Sequence, residues 1–315
     1  MDTCLPACLT LSFGKSQVLL TCPTGASHVE KGQPCQDACG ASQHFFQGQP
    51  YLVLAIADGH GGEKYNQSEI GAHLAVEAAR DAATDLVVTL VSAQSNHPTD
   101  WARLVKHEAN RLGRNLVQHW RRRIEGHAGI KSEEGVSDQD LECIGRYGTT
   151  VAMVVMYEST LIAGSIGDSS IFTVEHSEPS GEVRVNDVTP QRDRGVGLAT
   201  ESLVSPNAHH SWQAKAMVID ELIDETELAM VLLTTDGMTD SLEDPKQSIR
   251  NLYERAVNDG LDWLKNVLPK QLSRWSDKGV GDDMGCVVMF PIWPVRVRGQ
   301  SNEDISQEAE GGEQS

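Results

Sequence analysis

Apolar positions along this chain come in short, dense runs. Tyr51 to Ala57 (YLVLAIA), Thr149 to Tyr157 (TTVAMVVMY), Leu161 to Ile166, Ser170 to Val174, Ala229 to Thr234 (AMVLLT) and Gly285 to Phe290 (GCVVMF) are each of strand length and bounded by turn formers. They predict buried strands. Glu69 to Asp85 instead spaces Ile70, Leu74, Ala78 and Ala82 at helical intervals. A second helix is predicted from about Asp100 to Glu125, with Trp101, Leu104, Leu112, Leu116 and Trp120 on one side and Arg121, Arg122 and Arg123 as a solvated basic end. Leu261, Leu264, Leu268, Leu272 and Trp275 mark a third helical region, in which Pro269 predicts a break or restart. Residues 127–142 and 175–215 are rich in Gly, Ser, Pro and charge, and read as irregular. The helices fall in groups between groups of strands, without βαβ alternation. The pattern predicts an α+β fold, with sheets built from hairpins and helices packed outside them.

Composition narrows the function classes. The 315 residues carry 45 acidic and 26 basic side chains, a formal net charge of −19. Such a surface repels nucleic acid and anionic membranes, so neither is expected as a partner. No apolar run reaches the length of a membrane helix, and the first residues lack the basic-then-apolar pattern of a secretory signal, so a cytoplasmic location is expected. Seven cysteines without zinc spacing read as reduced thiols. The organisation expected is a single domain over residues 1–295, then an acidic tail over 296–315 that lacks aromatics and reads as disordered.

The chemistry-bearing residues sit at strand ends. The Tyr51–Ala57 run ends on Asp58, followed by Gly59, His60, Gly61 and Gly62; AMVLLT ends at Asp236-Gly237; GCVVMF is preceded by Gly281-Asp282-Asp283; and Asp37 lies in PCQDACG. One acid at a strand end is more often a turn former than a ligand. Several together would repel one another unless protonated, paired or bridged by a cation, and hard oxygen donors suit Mg²⁺ or Mn²⁺. Spacing alone leaves open whether these acids converge.

In order along the chain, PCQDA at 34–38, ADGHGG at 57–62, YGTTVAMVV at 147–155, SIGDSSIF at 165–172, LLTTDGMTD at 232–240 and GDDMGCVV at 281–288 resemble the metal-dependent, type-2C serine/threonine protein phosphatases, bacterial members more than animal ones. The resemblance covers about residues 25–290. It implies a central sandwich of two antiparallel β-sheets flanked by α-helices, a four-layer αββα arrangement with a two-ion site at one end. By motif position Asp58 would bridge two Mg²⁺ or Mn²⁺ ions, the Gly59 carbonyl would bind one, and Asp236 and Asp282 the other. Asp37 would act mainly through metal-bound water, and Asp283 is the alternative to Asp282. The implied reaction is attack of a metal-bridged hydroxide on phosphoserine or phosphothreonine, without a phosphoenzyme. His60 would be the general acid, and the implied partner is a phosphorylated protein substrate whose phosphate a Ser/Thr kinase installs.

Three positions depart from the family pattern. Gln36 stands where an acid is usual, Gly145 where some members carry a third-ion Asp, and no arginine precedes the first motif, where His28 and Lys31 offer themselves instead. His28 is the candidate phosphate contact, and a third ion is not expected. These departures keep two alternatives open: a catalytically silent binding module, and a phosphatase of a small metabolite. Cys35 and Cys39 flank Asp37, and two small buried hydrophobes are the expected reading over oxidant-sensitive thiols. GDSS at 167–170 is read as a tight turn, and the 175–215 region as a variable flap in which Trp212 is an anchor.

Overall fold

The computed structural model describes residues 8–96, 100–130, 137–177, 180–190, 200–219 and 226–292, so the 296–315 tail lies outside the described residues. Its eleven described strands form two antiparallel sheets. One sheet has the order β1 (Leu9–Phe13), β2 (Ser16–Thr21), β11 (Cys286–Phe290), β10 (Thr226–Thr234), β7 (Ser170–Ser177), β8 (Val183–Asp187). The other has the order β3 (Ala38–Phe46), β4 (Gln49–Ala57), β5 (Val151–Tyr157), β6 (Thr160–Ile166), β9 (Gln213–Val218). After the short helix α1 (Ala26–Lys31), helices α2 (Ser68–Asn96) and α3 (Trp101–Ala128) cover the five-stranded sheet, and α6 (Pro245–Asp259) and α7 (Leu261–Lys278) cover the six-stranded one.

Side-chain alternation explains why the strands read as continuous apolar runs. On β4, Tyr51, Val53, Ala55 and Ala57 face α2 and α3, while Leu54 and Ile56 face the other sheet. On β10, Met230 and Leu232 face α6 and α7, while Val231 and Leu233 join Val287 and Met289 between the sheets. Both faces of each central strand are therefore dry, as the α+β expectation requires. The sandwich of two antiparallel sheets with outer helices is the fold expected from the sequence.

Several local expectations change. Helix α7 runs through Pro269 without the expected break; the proline is buried in the helix interior. Residues 127–142, read as loop, include the start of α4 (Asp138–Gly145), whose Ser137 hydroxyl accepts from the Asp140 N–H while the Asp140 carboxylate accepts from the Ser137 N–H. Helix α6 is not among the elements expected from the sequence, although Asp244 caps it, Pro245 opens it, and Ile249, Leu252, Tyr253 and Ala256 line its buried face. The 175–215 segment holds β8 and the start of β9. Trp212 is an anchor there: its Nε1–H donates to the Ala109 carbonyl at 2.9 Å, and its ring packs into the space left by Gly113 and Gly164. Arg123, at the basic end of α3, pairs with Glu77 and Asp81 of α2.

Candidate metal centre

Antiparallel register delivers the strand ends to one place. Ala38 pairs with Ala57, so Asp37 and Asp58 leave neighbouring strands at the same end. Thr234 pairs with both Cys286 and Ser170, so the residues that follow β10, precede β11 and precede β7 share that end as well. Asp236, at the start of the short helix α5 (Asp236–Asp240), the Asp282-Asp283 pair and Asp168 of the β6–β7 turn are thereby brought to one rim.

The acids form two groups. Carboxylate oxygens of Asp58, Asp168 and Asp236 lie within 4.8 Å of one another. Oδ1 of Asp168 and Oδ1 of Asp236 are both buried and meet no hydrogen-bond partner. Burial, and then the charges of Asp37 and Asp236, push the Asp58 carboxyl well above the ordinary range. Burial and the Asp168 charge push Asp236 up to about 6, against a hydrogen bond from Asp58 that favours its ionised form. Three neighbouring carboxylates, two of them with a buried, unpartnered oxygen, are a donor set that a hard divalent cation fits, because it neutralises the repulsion and satisfies the orphaned oxygens together.

The second group is His28, Asp282 and Asp283. Asp283 is buried and fully engaged: it accepts from the Gly25 N–H and the Gln36 N–H, each at 2.6 Å, and His28 Nδ1 lies 2.9 Å from its Oδ2. Asp282 is half exposed, with one oxygen accepting from the Asp283 N–H at 2.9 Å. His28 Nε2 lies 3.9 Å from Asp282 Oδ1. The structure thus brings Asp58 and Asp236 together and sets Asp282 beside His28.

Asp37 lies beneath both groups. Its Oδ2 accepts from the Thr235 hydroxyl at 2.8 Å and the Gly285 N–H at 2.7 Å, which ties the start of β3 to the segments flanking α5 and β11. Burial first, then the Asp283 charge, raise its affinity for a proton. Gln36, where an acid was expected from the family pattern, donates from Nε2 to the Ser68 hydroxyl at 2.8 Å, so its amide secures the first residue of α2. Cys35 is held protonated by burial and by the nearby Asp37 and Asp283 charges, which makes it a poor nucleophile.

The glycine loop answers to its surroundings. The Gly59 N–H donates to the Gln36 carbonyl at 3.1 Å, and a Cβ at Gly59 would lie 2.6 Å from that oxygen, so the close approach of the two loops requires glycine. The next residue, His60, donates its backbone N–H to the Gly148 carbonyl at 2.9 Å, and its ring packs 5.0 Å from that of Tyr65. Burial lowers the affinity of this imidazole for its proton, an effect opposed by Asp168 and reinforced by Lys64. Beyond Tyr65 opens a cavity of about 540 Å³, lined by Lys64, Glu142, Gly145 and Arg146 among others. A separate, more apolar cavity of about 360 Å³ lies between α3 and β9, lined by Trp101 and Ala214, and holds none of these acids.

Asp168 is a rim acid that its local sequence does not single out. GDSS looks like a turn, and only the positions of β6 and β7 in different sheets carry its acid to the rim.

No curated protein matches the chain by sequence. The family model described as protein phosphatase 2C matches residues 24–275. Among solved structures, serine-threonine phosphatase 2C from Toxoplasma gondii superposes with a TM-score of 0.59 at 10% identity, over 90% of this chain and 99% of that one. A bacterial serine phosphatase gives 0.52 at 15% identity, over 90% and 99%. The serine/threonine phosphatase Stp1 from Staphylococcus aureus gives 0.52 at 14%, over 89% and 95%. At these identities the structural likeness is one of fold, while the family match spans most of the sequence. The chain therefore belongs to the protein phosphatase 2C family and is a serine/threonine protein phosphatase.

Proposed function

We propose that this chain removes phosphate from phosphoserine and phosphothreonine in proteins with the help of bound Mg²⁺ or Mn²⁺, opposing a Ser/Thr kinase. The observation that carries this reading is the pair of buried, unpartnered oxygens on Asp168 and Asp236 beside Asp58, at the rim where the strand ends meet. Asp58, the Gly59 carbonyl and Asp236 would hold the ions, with Asp282 the fourth donor. Asp282 is preferred to Asp283 because three donors already occupy the Asp283 carboxylate. We assign His28, whose Nδ1 faces Asp283, to bracing this loop in place of the phosphate contact. When bound, divalent cations supply Lewis acidity: they make a water more acidic and neutralise charge on phosphoryl oxygens.

The protein's own contribution is position and proton handling. Asp37 fixes the relative placement of the loops through Thr235 and Gly285. His60 is the donor for the departing serine or threonine oxygen. Burial makes its imidazolium a stronger acid, which favours transfer to a developing alkoxide. The cavity of about 540 Å³ lined by Tyr65, Lys64, Glu142 and Arg146 offers charged side chains to residues flanking a phosphorylated side chain, which favours a protein over a small metabolite. No described helix is long and apolar enough to cross a membrane.

The test is phosphate release from a phosphothreonine peptide by the full chain, with and without millimolar Mn²⁺ and with an EDTA control. Metal-dependent release that vanishes in Asp236→Asn is expected. No release with either ion, from protein that binds Mn²⁺, would overturn the reading.

A further inference from the structure

The turn between β6 and β7 is more constrained than a turn former needs. It carries the chain from one sheet to the other, with Gly167 at φ 110, where a Cβ would lie 2.5 Å from the Thr150 side chain. Thr150 Oγ1 accepts from the Asp58 N–H at 3.2 Å and lies 3.4 Å from Ser169 Oγ. One buried threonine thus ties the Asp168 turn to the Asp58 loop. The Asp168 carboxylate is held from outside as well, since Oδ2 accepts from the Thr200 hydroxyl at 2.7 Å. Its Oδ1 is buried and unpartnered, and a carboxylate oxygen of Asp168 lies within 4.8 Å of Asp58 and Asp236 oxygens.

A turn-forming aspartate is expected to place a side-chain oxygen on a nearby backbone N–H. Here Oδ1 meets no donor. A buried acceptor left open while its twin is fixed by a hydroxyl is an arrangement that preorganises a ligand. We propose that Asp168 is a third carboxylate ligand of the cation held by Asp58 and Asp236, and that Thr200 is the positioning residue that aims it. The inference rests on the metal-site reading given above and adds a donor to it. It also gives this chain an acid at the rim where Gln36 and Gly145 supply none.

The test is a titration of metal-free, full-length protein with Mn²⁺ alone, following the electron paramagnetic resonance signal of the free ion. Asp168→Asn is expected to weaken one Mn²⁺ site by about tenfold or more, and Thr200→Val by a smaller factor, as for loss of an orienting hydrogen bond. Neither should melt clearly below the wild type in EDTA. Wild-type Mn²⁺ affinity in Asp168→Asn, alongside lost binding in Asp58→Asn, would overturn the role of Asp168 and leave the site reading standing. Wild-type affinity in Asp58→Asn as well, or no binding by the unaltered protein, would overturn both. If Asp168→Asn fails to fold, Thr200→Val decides: unchanged affinity there overturns the arrangement proposed.

Discussion

The two acid groups share one rim but are delivered by different segments, the first by the end of β4, the β6–β7 turn and the start of α5, the second by the residues before β11 together with His28, and they end up in opposite states. Asp283 is buried with every neighbour arranged to serve it: two backbone N–H groups and an imidazole. Asp168 and Asp236 each keep a buried oxygen with no partner. The protein has therefore satisfied one carboxylate from its own donors and left the others to be satisfied from outside. A buried acid with donors is a brace, and a buried acid without them is a binding site in waiting. Burial by itself does not separate the two.

The comparison is broken most severely at the open group. Asp58→Asn or Asp236→Asn should remove turnover on a phosphothreonine peptide by about a thousandfold or more, on the scale of losing a metal's electrostatic stabilisation. Neither should lower the melting temperature of ion-free protein, because a repelling carboxylate is being removed. A coincident loss of folding would make these acids braces like Asp283.

Asp283→Ala should do the reverse. It strands the Gly25 and Gln36 N–H groups in a buried setting, at about 2–5 kcal/mol in unfolding free energy for the two. Denaturant unfolding reads this directly, and a variant as stable as the wild type would contradict the bracing role.

The open group also sets a pH signature in ion-free protein. The folded pKa values of Asp58 and Asp236 are raised, the latter to about 6, so the native state binds protons that the unfolded chain has released. Their contribution is then a destabilisation at neutral pH that is relieved as pH falls through about 6 toward 4. Thermal melts in EDTA should show this rise, and millimolar Mn²⁺ should flatten it. Melts that fall steadily from pH 7 to 4 in both wild type and Asp236→Asn would rule it out.

The smallest effect is expected at Gln36→Glu. Replacing the amide loses the bond to Ser68, about 1 kcal/mol or about 2–4 °C in melting temperature, while adding an acid near the ions. Tighter Mn²⁺ binding with a slightly lower melting point is the expected pair of results.

Most of the sandwich was legible because its central strands are buried on both faces, which no surface element needs. Ile249, Leu252, Tyr253 and Ala256 of α6 are equally legible by their helical period. The α7 proline was read by a local rule that tertiary packing overrode: Pro269 is buried among residues that hold the helix together despite a missing N–H. Asp58, Asp236, Asp37 and Asp282 could be picked out because motif order and resemblance pointed to them. Asp168 could not, since its local sequence satisfies the rules for a turn.

By itself the sequence determined which segments would be dry strands and helices, that the surface would be strongly acidic, and which strands would end in acids beside glycines. These follow from side-chain period and local conformational preference, which are properties of neighbours in the chain. Only the tertiary structure decided which acids would meet and which would be given donors. That depends on the register of β3 on β4 and of β10 on β11 and β7, and on a turn that crosses between sheets. Hydrogen-bond satisfaction of a buried carboxylate is set by groups hundreds of residues away, such as Gly25 on Asp283, and no local pattern encodes it.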